Sequence, residues 1–309
     1  MVDVDLLVVG DANPDLLMSG DVMPSFGQAE QLVDDARMVV GGSGAIMACG
    51  AARLGVRTAF VGAIGDDAFG RFMLNALAEH GVDTSGCIVT SGHPTGISVV
   101  LSRGDDRAIL TSTGAMTTLR ADDVDDALLA QARHVHVSSF FLLRELALEL
   151  RGLFERAHSA GATTSLDPNW DPSGGWDGGL LELLRLTDVF LPNSAEARAL
   201  TGIDDVDIAA ETLAEHGAVV AVKFGQGGGL AIAGDEVVRS GSMPTDVVDT
   251  TGAGDSFDAG FLAGRLSGWR LDRCLSLAVA CGSLSTRAMG GTEAQPTLQE
   301  AIVALERTA

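Results

Sequence analysis

The stretch DTTGAGDSFDAGFLAG, residues 249–264, constrains this chain more than any other. Gly252, Ala253 and Gly254 stand directly before Asp255, and the run from Ser256 to Ala263 reads as helix, with Phe257, Phe261 and Leu262 at helical spacing. Asp255 is a favoured N-cap residue, and Asp258 three positions on strengthens the start signal. Glycine opens backbone angles closed to other residues. A Gly-Ala-Gly turn entering a helix therefore aims bare N–H groups outward at the positive end of the helix dipole, a setting suited to phosphate. A carboxylate placed there points to a base that takes a proton from an attacking hydroxyl during phosphoryl transfer. An ordinary glycine-rich turn capped by an aspartate accounts for the same residues equally well, and this stretch alone leaves both readings open.

The 309 residues, 46% of them hydrophobic, fit one large α/β domain. A formal net charge of −22 argues against a nucleic-acid surface, which needs a basic patch. It leaves room for a small phosphorylated ligand, because backbone N–H groups and Mg2+ supply positive potential. Lys223 is the one lysine in the chain; every other basic side chain apart from histidine is arginine. Cys49, Cys87, Cys274 and Cys281 show no C-x-x-C spacing, which predicts reduced thiols and a cytoplasmic protein. Asp3 and Asp5 precede the first apolar run without a basic segment, so no signal peptide is expected, and no uncharged apolar run is long enough to span a membrane. The histidines lack zinc-type spacing; His134 and His136 read as packing on one strand face.

Along the chain, DLLVVG (5–10) reads as a buried strand, followed at once by Asp11, Asn13 and Asp15. Polar side chains just past a strand's carboxyl end sit where open α/β sheets bind ligands, although an Asx turn around Pro14 explains them too. Residues 16–40 read as an irregular excursion, and GGSGAIMACGAARLG (41–55) as a flexible turn entering a helix of small residues. Residues 57–65 read as strand and turn, and 66–81 as an amphipathic helix. Residues 96–112 predict a hairpin turning at Gly104 and Asp105. Strands are expected at 134–140, 162–169, 187–193 and 218–225, ending in Asp167 and Asn169, in Asn193 and in the glycine-rich turn at 225–229, with closing helices at 271–288 and 297–307. Repeated strands with polar or glycine-rich ends predict a parallel sheet with one ligand-binding edge.

Together these motifs resemble the ribokinase-like carbohydrate kinases, the PfkB family, over nearly the whole chain. DTTGAGDSFDAGF matches the family's C-terminal signature closely, GGSGAIMACGAARLG with VGAIGDDAFG matches the N-terminal signature less fully, and NSAE (193–196) matches its N-x-x-E motif. The resemblance implies a single three-layer α/β domain, residues 1–309, with a small β-lid from about 14–40 and 95–113 over a sugar site. It implies ATP and Mg2+ as cofactors and transfer of the γ-phosphoryl group to a sugar hydroxymethyl group. Asp255 aligns with the catalytic base, and Thr251, Gly252, Ala253 and Gly254 with the anion hole. Asn193 and Glu196 align with the Mg2+ motif, Asn13, Asp15, Gly41 and Gly42 with sugar-hydroxyl contacts, and Lys223, Gly225 and Gly228 with the nucleotide site. Asp249 and Thr251 match positions that hold a monovalent cation, K+, in some members. A homodimer paired through lid strands is the implied assembly.

Two positions depart from the family pattern. Ile46 stands where many members have Asn, and Asp171 where several sugar-acid kinases have Arg. Arg103 and Arg107, in the expected lid, read either as substitutes for that missing cation or as exposed hairpin charges. Without tyrosine, any aromatic platform falls to residues such as Phe26 or Trp170. A nucleoside kinase of the same family and a catalytically silent sugar- or ATP-binding regulator are the competing functions. The turn at 225–229 breaks G-x-G-x-x-G, and the chain has no G-x-x-x-x-G-K-[ST].

Overall fold

The computed structural model describes residues 4–103 and 106–308. The chain runs β1 (Val4–Val9), β2 (Asn13–Ser19), β3 (Asp35–Gly41), α1 (Ser43–Arg53), β4 (Thr58–Val61), β5 (Ala63–Gly65), α2 (Ala68–Glu79), β6 (Ile88–Thr90), β7 (Ile97–Arg103), β8 (Asp106–Ser112), α3 (Asp126–Leu129), β9 (Ala132–Val137), α4 (Arg144–Ser159), β10 (Thr163–Leu166), α5 (Leu180–Leu183), β11 (Val189–Phe190), α6 (Ser194–Thr201), α7 (Val206–Ala214), β12 (Val219–Lys223), β13 (Gly229–Ala233), β14 (Glu236–Ser240), α8 (Ala253–Leu266), α9 (Leu271–Ser285) and α10 (Leu298–Thr308).

Eight strands form the main sheet in the order β14-β13-β12-β11-β10-β9-β1-β4. Those from β12 to β4 are parallel, so their carboxyl ends open on one edge. The two-residue alternation of β1 sends its side chains to opposite faces. Leu7 and Val9 join a core with Leu146, Leu150 and Leu153 of α4. Leu6 and Val8 join another with Ile46 of α1, Phe261 of α8 and Leu277 of α9. Helices thus cover both faces, giving the three α/β layers that the resemblance implies. Each fully buried side chain of this size, such as Phe60 or Phe261, contributes about 1.5–3 kcal/mol. No helix among the described residues is long and apolar enough to cross a membrane, and all four cysteines are free thiols.

A second, four-stranded sheet has the order β3-β2-β7-β8 and stands apart from the first. Here the structure differs from the sequence reading of 16–40. Residues 20–34 are irregular as expected, but the two ends, 16–19 and 35–40, are regular strand, because β2 pairs with β3 on one side and β7 on the other, partners a local pattern does not reveal. Asn13, Pro14 and Asp15 open β2 rather than forming a free turn. The β7 pairing begins at Asp15, so the missing N–H of Pro14 costs that ladder nothing. The turn expected at Gly104 and Asp105 lies outside the described residues. The sheet is not wholly parallel either: β13 and β14 return antiparallel at one edge, hidden in the sequence because β13 begins inside the glycine run.

Candidate functional site

The carboxyl ends of β1, β9, β10, β11 and β12 carry Asp11, Ser139, Asp167, Asn193 and Lys223, and the start of α8 lies against them. After β1 comes Asp11, whose buried carboxylate accepts from Ser43 N and Gly44 N at 3.0 Å each and from Ser139 Oγ at 2.9 Å. The N-cap residue of α1, Gly42, offers no side chain, so Asp11 satisfies the orphan N–H groups that every helix start leaves.

β2 brings Asn13 and Asp15 close to Asp11. Asn13 Nδ2 donates to Asp15 Oδ1 at 3.0 Å and to Ser98 Oγ of β7 at 3.1 Å. Ser98 in turn shares a hydrogen bond with Thr111 of β8 at 3.0 Å. Gly41 lies opposite: a Cβ there would fall 2.0 Å from Asp15 Oδ1, so only glycine leaves the carboxylate its place. Burial, and then the charge of Asp11, pushes the Asp15 carboxyl up to about 7.

The start of α8 differs from the sequence reading. The N-cap is Gly252, in the left-handed region at φ 71°, and no side chain caps the helix. Asp255 is therefore the third residue of α8, inside the first turn, and does not cap it. Gly252 can turn the chain this early because it has no Cβ. The carboxylate of Asp255 is thereby free to reach outward, where Oδ1 accepts from Ser43 Oγ of α1. Burial pushes its carboxyl up to about 7, against the Ser43 hydrogen bond that lowers it.

On the other side of α8 lies a cavity of about 460 Å³ whose lining includes Lys223, Gly225, Gly228, Ala253, Gly254 and Phe257. The structure thus brings the expected nucleotide-site residues together around the α8 N-terminus. Lys223 is nonetheless committed within the protein: its buried ammonium donates to Asp167 Oδ2 at 2.7 Å and to Asp258 Oδ2 at 3.1 Å. Burial alone would lower its pKa, but the Asp167 and Asp258 carboxylates override that and keep it charged. Asp167 and Asp258 were not singled out as site residues; Asp167 carried a signal, a polar residue at a strand end, whereas Asp258 looked like part of a helix start.

Asn193 and Glu196 form a reciprocal capping box at α6. Asn193 Oδ1 accepts from Ala195 N and Glu196 N at 2.9 Å, while Glu196 accepts from Asn193 N at 2.8 Å. Burial and the Asp167 charge push Glu196 up to about 7. Among the described residues no group of three or more His, Cys, Asp or Glu side chains is placed to hold a metal directly. Mg2+ is commonly held by one or two carboxylates plus phosphates and water. Glu196 suits that role: Asp167, Glu196, Asp255 and Asp258 act on one another and on a single ammonium, a negative excess that a divalent cation bound with phosphates would offset.

The remaining candidates are placed as follows. Asp249 Oδ1 accepts from Thr251 N at 2.9 Å and Thr251 Oγ1 at 2.8 Å, and its Oδ2 accepts from Gly290 N at 2.8 Å. Arg107 reaches this turn from β8, donating to Thr251 Oγ1 at 2.8 Å, and so is more than a hairpin surface charge. Ile46 is buried against Gly252 and Gly291 beneath the turn. Asp171 organises its own loop, accepting from Ser173 N at 2.8 Å and Trp176 N at 2.7 Å. Trp170 packs edge-on against Trp176 with ring centroids 5.0 Å apart, and Phe26 is exposed. His134 and His136 are buried, each hydrogen-bonded to Ser165 Oγ at 2.7 and 2.8 Å. Ser43, Ser98 and Thr111 escaped the sequence reading, since single hydroxyl residues on strands and helix starts carry no distinguishing pattern.

The model of the pfkB family of carbohydrate kinases matches residues 4–298. Ribokinase of Haemophilus influenzae is 29% identical over 97% of this chain and 98% of its own length. Among solved structures, an E. coli protein assigned as a ribokinase II, in complex with ATP and Mg2+, superimposes with a TM-score of 0.86 at 27% identity over 98% of this chain and 99% of that one. Arabidopsis thaliana ribokinase, complexed with ribose and ATP, does so with a TM-score of 0.83 at 27% identity and the same coverage. With its signature turn at the start of α8 and its three-layer fold, this chain belongs to the pfkB family of carbohydrate kinases.

Proposed function

We propose that the protein transfers the γ-phosphoryl group of ATP to a sugar hydroxymethyl group, with Asp255 as general base. The observation that carries this is the place of Asp255. It stands in the first turn of α8, linked to Ser43 on the side of the Asn13–Asp15 cluster, with the 460 Å³ cavity against the same helix start. An acceptor bound by Asn13 and Asp15 would present its hydroxyl to Asp255 in place of the Ser43 hydroxyl. Gly252 and Gly254 would supply N–H groups toward charge building on the transferring group, and Ala253 would do so by releasing its N–H from Thr250 O, to which it donates at 3.3 Å. A carboxyl near 7 is matched to accepting a proton at neutral pH. Because phosphoryl transfer is largely dissociative, positioning and charge stabilisation dominate.

Mg2+ bound with ATP would be held through Glu196 and Asn193 and would neutralise phosphate charge. The neighbours' complexes with ATP, Mg2+ and ribose support this choice of ligands. Both Asp249 oxygens already accept hydrogen bonds, from Thr251 and from Gly290 N, so the proposal includes no K+ requirement; equal rates in K+ and tetramethylammonium buffers are expected. The small sheet is proposed as a lid and as the contact of a homodimer, supported by the exposed Met38, Ile109 and Leu110 on its edge strands.

The test is ADP release from Mg-ATP across sugars, sugar acids, sugar phosphates and nucleosides. Turnover on one sugar is expected. Turnover confined to nucleosides would reassign the acceptor, and ATP binding without turnover on any acceptor would leave a nucleotide-binding regulator.

A further inference from the structure

One side chain of the small sheet crosses to the loop that leads into α8. Arg107, on β8, donates from Nη1 to Thr251 Oγ1 at 2.8 Å and lies 3.7 Å from Asp249 Oδ1. Thr251 immediately precedes Gly252, where the chain turns into the helix. The positive charge of Arg107 is also felt at Asp15, where it opposes the effect of burial. The guanidinium therefore lies at the loop leading into α8, within electrostatic reach of the Asp15 carboxyl. Its surroundings are otherwise acidic, with Asp11, Asp15, Asp249 and Asp255 around the cleft. Lys223, the other cation near the start of α8, is held by Asp167 and Asp258.

A transferring phosphoryl group spreads negative charge over three equatorial oxygens. Backbone N–H groups at a helix start answer part of that charge, and a planar guanidinium fork matches the remaining oxygens in geometry. We propose that Arg107 is a catalytic residue delivered by the small sheet: with phosphoryl in the anion hole, its guanidinium moves from Thr251 Oγ1 to the phosphoryl oxygens. This rests on the kinase reading above. In the step it serves, the acceptor oxygen–phosphorus bond forms, the bond from phosphorus to the β–γ bridging oxygen breaks, the hydroxyl proton passes to Asp255 and ADP leaves. Arg107 stays protonated throughout. Closure of the sheet and completion of the charge complement are then one event, which ties phosphoryl transfer to a cleft already shut against water.

The experiment titrates inorganic phosphate into the Mg-ADP complex of the wild type, Arg107→Ala, Arg107→Lys and Arg37→Ala, followed by calorimetry. Arg37 lies on β3 of the same sheet and pairs with Asp35, so it controls for loss of any arginine from this sheet. Phosphate affinity should fall roughly 10- to 100-fold in Arg107→Ala, the range of a charge-assisted hydrogen bond. It should recover partly in Arg107→Lys and stay unchanged in Arg37→Ala. With an acceptor in hand, kcat should fall by at least that factor while the acceptor KM moves only a few-fold. Unchanged phosphate affinity in folded Arg107→Ala overturns the proposal, as does a change confined to acceptor KM, an equal loss in Arg37→Ala, or no phosphate binding by the wild type. If Arg107→Ala does not fold, Arg107→Gln and Arg107→Lys carry the comparison. Phosphate binding needs no turnover, so failure of the kinase reading shows separately as a wild type silent on every acceptor.

Discussion

Ser43 Oγ donates to Asp255 Oδ1, joining the first turn of α1 to the first turn of α8. In the proposed reaction the acceptor hydroxyl would replace the Ser43 hydroxyl, and in the unliganded chain this bond holds the Asp255 carboxyl down against the effect of burial.

As the proposed base, Asp255 must be ionised to accept a proton, so kcat/KM should rise with pH through about 7 and level off above it. Asp255→Asn should lower kcat about 10²- to 10⁴-fold without loss of fold. Ser43→Ala removes the bond that lowers the carboxyl before the acceptor arrives, so its kcat/KM profile should shift to higher pH. Stopped assays of ADP release from pH 5.5 to 9 read both; an unshifted Ser43→Ala profile would contradict the assignment.

Lys223→Met leaves Asp167 and Asp258 buried without their cation. Breaking a buried pair from one side costs about 3–5 kcal/mol. The stranded carboxyls can escape by taking up protons, so the loss in Tm should be larger at pH 8 than at pH 5. Thermal melts at the two pH values check this, and Asp258→Asn added to Lys223→Met should restore part of the loss.

Glu196→Gln keeps a side chain able to accept from Asn193 N but removes a negative charge. The Mg2+ concentration for half-maximal activity should rise about tenfold, roughly 1.4 kcal/mol, with Tm nearly unchanged. A Mg2+ titration identical to the wild type would leave Glu196 a purely structural cap of α6.

Asp15 has a carboxyl raised to about 7 in the folded chain, above its ordinary value. Between those two values the folded state holds the proton that the unfolded state has released. Its contribution is therefore present at low pH and lost as pH rises through about 7. Asp15→Asn removes that dependence, so Tm at pH 8 minus Tm at pH 5 should be more positive in the variant than in the wild type. The acceptor KM should rise in parallel.

Much of this protein was legible in its residues taken in order. The turn 249–255, the N-x-x-E at 193–196 and the glycine pair at 41–42 are local, because each is a short backbone geometry that needs particular residue types at fixed spacing. The parallel strands from β1 to β12 were legible for the same reason, as compact apolar runs ending in polar groups. What only the tertiary structure decided are relationships between distant segments. β2 became a strand because β3 and β7 flank it. Asp255 moved from cap to first turn because Gly252 bends the chain before it. The Lys223–Asp167–Asp258 cluster and the reach of Arg107 to Thr251 join residues 35 to 144 positions apart. Charge interactions act through space and depend on burial, neither of which a linear pattern records.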